Sequence, residues 1–383
     1  MGPFSFGVIG DVQYRRSDPA GPRKDATDPN REIGYSRNGP RDQLVEEWHT
    51  RWFHRALYVV TKRALDGLRK RGVARTVFMG DILDSTAAAR GDSPSLVSDS
   101  LADFQALLGE YPENAFNYNF VFGNNDAKTI GREGWLEHFI PSTAKDKAAV
   151  PCSLERLFFD FSPSAGVRFV ILDAYDESIT VPPGGELSGS ASSHEAFERA
   201  KAYLGEGHPQ ALQQFLADGR VDWDYVLDLA LKEPDTPERR QKLALLPYNG
   251  RVGSRQLAWL RSILEAATEQ RELVFVFSHL AVSDRVVRPD GIMWNADEVK
   301  ALLHQFPCVV AIFAGHDHNG GFATDEMGLH HIVPPAPLES TSDDAFGVVT
   351  VHDDGFLFDW VGNAPPTTHG VFPGPLQTLR FRR

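Results

Sequence analysis

Residues able to hold metal ions occur in this chain as short clusters, each directly or closely behind an apolar run. The clusters are Gly10-Asp11-Val12-Gln13, Gly80-Asp81-Ile82-Leu83-Asp84, Gly123-Asn124-Asn125-Asp126, Ser278-His279 and Gly315-His316-Asp317-His318. The apolar runs read as buried strands, and polar groups at the carboxyl ends of neighbouring strands converge on one crevice of an α/β sheet. Asp, Asn, Gln and His gathered there can hold two divalent cations close together, and such a pair drives in-line displacement at phosphorus.

Taken singly, the clusters differ in specificity. Asp11 and Gln13 are two apart in an extended segment, which puts both on one side. Asp81 follows an apolar strand, where a carboxylate can bridge two cations. Asp84, three residues on, suits either a partner that orients a ligand or a cap on the next helix. Asn124 offers a neutral oxygen ligand, although Gly-Asn-Asn also suits a turn. His279 ends a strand, and His316 and His318 form a His-x-His pair behind another, a pattern that points to metal. The other histidines, His49, His54, His330 and His331 among them, lack such a pattern.

The elements that must position these groups follow from hydrophobic patterning. Short β-branched or aromatic runs at 6–9, 76–79, 120–122, 167–172, 273–277 and 309–314 predict buried strands. Helical periodicity covers 47–69, 98–108, 254–267 and 296–305, and this alternation predicts an α/β layered fold. Runs at 329–333, 346–351 and 355–360 have no long helices between them and suggest a second, more antiparallel sheet. The ligand clusters extend from Asp11 to His318, so one domain, 1–363, must close across most of the chain. Two segments look inserted, at about 15–46 and at 175–249. The first has a Pro-, Gly-, Asp- and Arg-rich stretch at 15–39, placed to fold over the site directly after Gln13. The tail, 364–383, reads as a surface strap or disordered.

Composition narrows the function classes. The 383 residues are 42% hydrophobic, enough for a large core, and carry a formal net charge of −13. That charge disfavours binding of nucleic-acid polymers, which a basic face would serve. Metal ions can still bring an anionic substrate to an acidic protein. No apolar stretch is long enough to span a membrane, and Met1-Gly2-Pro3-Phe4 does not open a signal peptide, so the expected location is cytoplasmic. The expected state is a monomer. The two cysteines, Cys152 and Cys308, make no disulfide framework, and Cys308 lies in an apolar run that predicts a buried free thiol.

Together the clusters resemble the calcineurin-like metallophosphoesterase superfamily, whose blocks are G-D-x-H, G-D-x-x-D, G-N-H-[DE], a Ser/Gly-His and G-H-x-H. The resemblance covers roughly residues 4–360. Finer features resemble one of its families, the manganese-dependent ADP-ribose/CDP-alcohol diphosphatases. These are Gly7 to Tyr14, with Gln13 where most of the superfamily has His, Leu172-Asp173-Ala174-Tyr175-Asp176, Asn249-Gly250 leading to Gln256-Leu257-Ala258-Trp259-Leu260, Trp294-Asn295, Gly320-Gly321 and Ala345-Phe346-Gly347. The resemblance implies a four-layer α/β/β/α sandwich with mixed sheets. It assigns Asp11, Gln13, Asp81 and His318 to one metal and Asp81, Asn124, His279 and His316 to the other, with Asp81 and a hydroxide bridging. Arg51-Trp52-Phe53 corresponds to an Arg-Tyr-Tyr near the substrate phosphates, which makes Arg51 a substrate-binding candidate beside an exposed-helix alternative, and His54 a weaker one. Asn125 replaces the superfamily histidine that faces the transition-state oxygens or the leaving group. It stays a catalytic and substrate-binding candidate, but an amide cannot transfer a proton. Asp84 is a further catalytic candidate.

The implied ligands are four oxygen donors and three imidazoles, with no thiolate. Such a set suits Mn²⁺ or Fe²⁺, with Mg²⁺ and Zn²⁺ as alternatives, and Gln13 in place of His favours Mn²⁺ over Zn²⁺. The implied reaction is in-line attack of the bridging hydroxide on the diphosphate of ADP-ribose, a CDP-alcohol or a similar small nucleotide-type substrate. Competing expectations are a phosphodiesterase acting on cyclic nucleotides or glycerophosphodiesters, and a metal-binding pseudoenzyme with an interaction role. A protein phosphatase would carry Arg-Gly after the second cluster, where this chain has Ser85-Thr86.

Overall fold

Phe4, Phe6 and Val8 alternate with Ser5, Gly7 and Ile9 along the first strand, so its two faces meet different partners. The Phe6 ring meets Phe169, Phe275, Phe277 and Phe313 at centroid distances of 4.7–6.1 Å. Those four rings belong to a second sheet. On the opposite face, a Cβ at Gly7 would strike Leu68 of a covering helix. The strand is therefore buried between a facing sheet and a helix.

The computed structural model describes residues 4–16, 53–73, 75–85, 94–111, 117–140, 152–180, 191–218, 226, 229, 232–363 and 376–382. The strands are β1 (Phe4–Ile9), β2 (Arg75–Phe78), β3 (Tyr118–Phe120), β4 (Phe159–Ser164), β5 (Val167–Ile171), β6 (Glu177–Ser178), β7 (Gly250–Arg251), β8 (Leu273–Phe277), β9 (Val309–Phe313), β10 (Gly321–Thr324), β11 (His330–Val333), β12 (Ala345–Val351), β13 (Gly355–Gly362) and β14 (Leu376–Arg380). Two six-stranded sheets have the orders β14-β13-β12-β1-β2-β3 and β10-β11-β9-β8-β5-β4. Within them β1, β2 and β3 run parallel, as do β5, β8, β9 and β11. The flanking strands are antiparallel, so both sheets are mixed.

Helix α1 (Lys62–Lys70) continues from a π-helical turn, Ala56–Thr61, and packs Leu68 and Gly67 against β1 and Phe346. Next come α2 (Pro94–Gly109), α3 (Asn124–Thr129) and α4 (Gly131–His138). Then follow α5 (His194–Gly207), α6 (Pro209–Asp218), α7 (Pro237–Ala244), α8 (Ser254–Glu269) and α9 (Ala296–His304). The two sheets face each other and helices cover them, giving the expected α/β/β/α sandwich.

Some expectations are corrected. The late strands do not build a sheet of their own: β12 pairs antiparallel with β1, placing Gly347 beside Val8, while β11 runs parallel with β9. The antiparallel half thus extends the parallel half of the first sheet. Part of the tail also enters it, because β14 pairs with β13. Strands β4 and β10 carry weak alternation and were not anticipated. Both cysteines are free, but Cys308 is only part-buried, its sulfur 3.3 Å from the Thr268 hydroxyl. The segment 175–249 contributes α5, α6, α7 and β6, which pairs with β7 directly after the segment, with small apolar clusters around Phe197 and Leu246.

Candidate metal centre

The loops after β1 and β2 continue side by side beyond the strands. Gln13 N–H donates to Asp81 O at 2.7 Å, Tyr14 N–H to Ile82 O at 2.8 Å and Asp84 N–H to Tyr14 O at 2.9 Å. This pairing sets Asp11 and Gln13 against Asp81 and Asp84. Across the sandwich, Gly315 N–H donates to His279 O at 2.9 Å, which joins the loops after β8 and β9. The backbone at the crevice is strained: Gln13 (φ 48°), Asp81 (φ 47°) and His316 (φ 69°) all occupy the left-handed region. Non-glycine residues hold that conformation at about 1–3 kcal/mol each, and such strain gathers at functional sites. Gly80 has φ 96°, and a Cβ at Gly123 would overlap the Asp81 carboxylate, so neither position accommodates a side chain.

The seven expected ligands meet in this crevice. Ligand atoms of Asp81, His279 and His316 lie within 4.8 Å of one another. His279 Nε2 is 3.4 Å from Asp81 Oδ2 and 3.2 Å from Asn124 Oδ1. His318 Nε2 is 3.5 Å from Asp11 Oδ2, which also accepts the His316 N–H at 2.9 Å. Gln13 Oε1 is buried with no hydrogen-bond partner among the described residues, as a neutral ligand oxygen for a cation would be. Oxygen and imidazole donors so gathered fit two borderline-hard divalent ions.

A ring of other side chains aims these ligands. Asp84 accepts the Gln13 amide at 3.0 Å, the orienting alternative of its two expected roles. Glu339 lies 2.6 Å from His318 Nδ1, and Met79 O lies 2.8 Å from His279 Nδ1, leaving Nε2 of each ring for the crevice. The Tyr175 hydroxyl donates to Asn124 Oδ1 at 3.3 Å. Tyr175 is held in turn by Asp173, which accepts its N–H at 3.0 Å and pairs with buried Arg132 at 2.6 Å. Asp126 accepts the N–H groups of Ile82, Leu83 and Gly123 and so clamps the second cluster to the third. Asn125 donates its N–H and amide to Asp81 at 2.8 and 2.6 Å, and its amide oxygen accepts the Ser85 hydroxyl.

Charges in the crevice depend on one another. Burial pulls the His279 imidazole down, but the Asp81 and Asp11 carboxylates outweigh it and hold the group up at about 9. Burial pushes Asp81 up, and His279 overcomes this to leave it below the usual carboxylate range. Asp11 is raised, by burial above all, as is Asp126, which reaches about 8 with the charge of Asp81 adding to the effect. Burial and then His279 push His316 far down, whereas Glu339 and Asp11 raise His318 against its burial. Protonated imidazole here does what a bound cation would do, so metal binding should release protons.

Arg51 and most of the 15–39 segment lie outside the described residues. His54 is part-buried against Tyr58, ring centroids 4.8 Å apart, and does not join the ligand cluster. Glu339, Asp126, Ser85 and Lys128 received no site role from the sequence. Tyr175 and Asp173 lie in Leu172-Asp173-Ala174-Tyr175-Asp176, one of the stretches that carry the family resemblance, and that placement is the sequence signal for a role behind the ligands. Glu339 had no such signal, being brought to His318 only by the fold.

The comparisons agree with this geometry. Residues 4–320 match the model of the calcineurin-like phosphoesterases. A manganese-dependent ADP-ribose/CDP-alcohol diphosphatase of Oryza sativa subsp. japonica is 31% identical, over 92% of this chain and 90% of that protein. The Arabidopsis thaliana protein of that name is 28% identical over 92% of each chain, and the Homo sapiens one 25% identical over 94% and 91%. A dimetal phosphatase from Danio rerio superposes with a TM-score of 0.68 at 22% identity, covering 99% of each chain, a likeness of fold. The chain belongs to the calcineurin-like phosphoesterases and, within them, to the family of the manganese-dependent ADP-ribose/CDP-alcohol diphosphatases. It is a metal-dependent hydrolase. No helix among the described residues is long and apolar enough to cross a membrane.

Proposed function

We propose that this enzyme hydrolyses the diphosphate of ADP-ribose, CDP-alcohols or similar small nucleotide derivatives, using two Mn²⁺ ions. The observation that carries this reading is Gln13. Its amide nitrogen is fixed by Asp84, and its buried oxygen has no hydrogen-bond partner among the described residues. Gln13, Asp11, Asp81 and His318 would hold one ion, and Asp81, Asn124, His279 and His316 the other. When bound, the ions supply a nucleophile at neutral pH and neutralise charge on the phosphoryl oxygens. The chain's own residues set the geometry: Asp84, Glu339 and Tyr175 lock the ligands, and Asn125 ties Asp81 to α3. The ligand set has only two carboxylates, so bound dications would offer positive charge to an anionic diphosphate in a protein of net charge −13.

Asn125 also supports a diphosphate over an alkyl diester. Splitting ADP-ribose expels a phosphate monoester whose second pKa is about 6, so it departs as an anion without a proton donor. The test is turnover of ADP-ribose by the purified protein with Mn²⁺, read as AMP and ribose 5-phosphate. Activity should vanish on chelation, return with Mn²⁺ and be absent in Asp81→Asn. Products other than these two, or full activity in Asp81→Asn, would contradict the proposal.

A further inference from the structure

Lys128 lies on α3, three residues after Asn125 and four after Asn124. On a helix, that spacing puts the three side chains on one face, and each leans back toward the N-terminus of its helix. The lysine stem therefore runs toward the crevice that Asn124 and Asn125 enter. Lys128 is part-buried, and among the described residues no carboxylate stands within ion-pair distance of its ammonium. Burial draws its pKa down, while Asp81 and Asp84 both act on it from the crevice. A desolvated ammonium without a partner is costly, so one kept beside an active crevice is a candidate for a ligand-borne anion.

We infer that Lys128 is a substrate-binding residue that takes an oxygen of the diphosphate's second phosphoryl group, the one not under attack at the metal ions. This rests on the diphosphate reading above. The chemistry suits the residue: an ammonium is a compact point charge on a flexible stem, able to meet a phosphate oxygen from several directions. Asn125 cannot serve this purpose with a charge, and its amide is already engaged by Asp81 and Ser85. Arg288, whose charge acts on His316 in the crevice, is committed to Asp317 and Asp290 at 3.5 and 3.6 Å.

The test compares ligands with one and two phosphoryl groups on the Mn²⁺-loaded enzyme. Hydrolysis of bis(4-nitrophenyl) phosphate gives KM for a single phosphoryl group, and its inhibition by ADP gives Ki for a diphosphate. In Lys128→Gln the ratio of Ki to KM should rise about tenfold or more, the loss of a charge-assisted hydrogen bond, and Lys128→Arg should recover part of it. Manganese content should not change. A ratio unchanged in Lys128→Gln, or lost metal, would overturn the inference. If the enzyme leaves ADP-ribose intact while the ratio still rises, the substrate assignment fails and the role of Lys128 stands.

Discussion

At the scale of single residues, the chemistry turns on what Asn125 can and cannot donate. Its amide tethers Asp81 but has no proton to give a departing alkoxide. A general acid contributes about 10²–10⁴-fold where the leaving group is basic, and little where it departs as a stable anion. Activity should therefore persist on diphosphates and aryl phosphodiesters and be poor on alkyl phosphodiesters. Asn125→His should raise turnover most for the poorest leaving groups, by about 10²-fold at the basic end of a series graded by leaving-group pKa. Equal gains along the series would show that the position does not act through protonation. The same scale explains the resemblance motifs that are not ligands. Gln256 binds Asp173 in both directions, accepting its N–H at 2.9 Å and donating to its carbonyl at 3.0 Å. Asn295 does the same for Val252, and Asn249 donates to Ala244 O and Asp290 O. These amides fasten the segment 175–249 and the loops below it to the sandwich.

At the scale of elements, the region opposite the crevice is held by a buried polar cluster. Asp325, in the turn between β10 and β11, accepts from His304 at 2.7 Å, from His331 at 2.9 Å and from the N–H groups of Leu329 and Met327. It thereby joins the end of α9 to β11. Arg382 adds to the join from the tail, donating to Leu303 O, Phe306 O and Val309 O. Burial opposes the charge on Asp325, but His331, His304 and the backbone donors win and hold its carboxyl far below the usual range. Burial likewise lowers His331. Both shifts have the same sign. A depressed pKa gives stability that is complete above the unfolded value and lost as pH falls. The loss begins near 6.5 for the imidazole and near 3.9 for the carboxyl. Asp325→Asn should lower stability by about 1–3 kcal/mol at pH 7. The gap to wild type, measured by denaturant unfolding, should narrow below pH ~4. A gap that stays constant across that range would show that the carboxylate charge does not hold this join.

At the scale of the whole molecule, the sequence was most informative where physical demands are strict. Strand β8 was legible at its true bounds because Val274-Phe275-Val276-Phe277, behind part-buried Leu273, is buried on both faces and tolerates nothing polar. The convergence of the polar clusters was legible because each sits behind a strand's carboxyl end, a position that topology makes convergent. Strand β14 was not legible, since 364–383 has no pattern strong enough to reveal a partner strand outside its own segment. Helix α3 was hidden because six residues give no periodicity and Gly-Asn-Asn equally suits a turn. Glu339 and Lys128 were hidden because their roles depend on distances between parts of the chain far apart in sequence. What unites the scales is one crevice to which two sheets bring seven candidate ligands, Asp81 at their centre. The most direct test is diffraction from crystals of the Mn²⁺-loaded protein at the manganese absorption edge. Two anomalous peaks about 3.5–4 Å apart should appear, both in contact with Asp81, one beside Gln13 and the other beside Asn124. A single peak, or a pair that Asp81 does not bridge, would contradict the account.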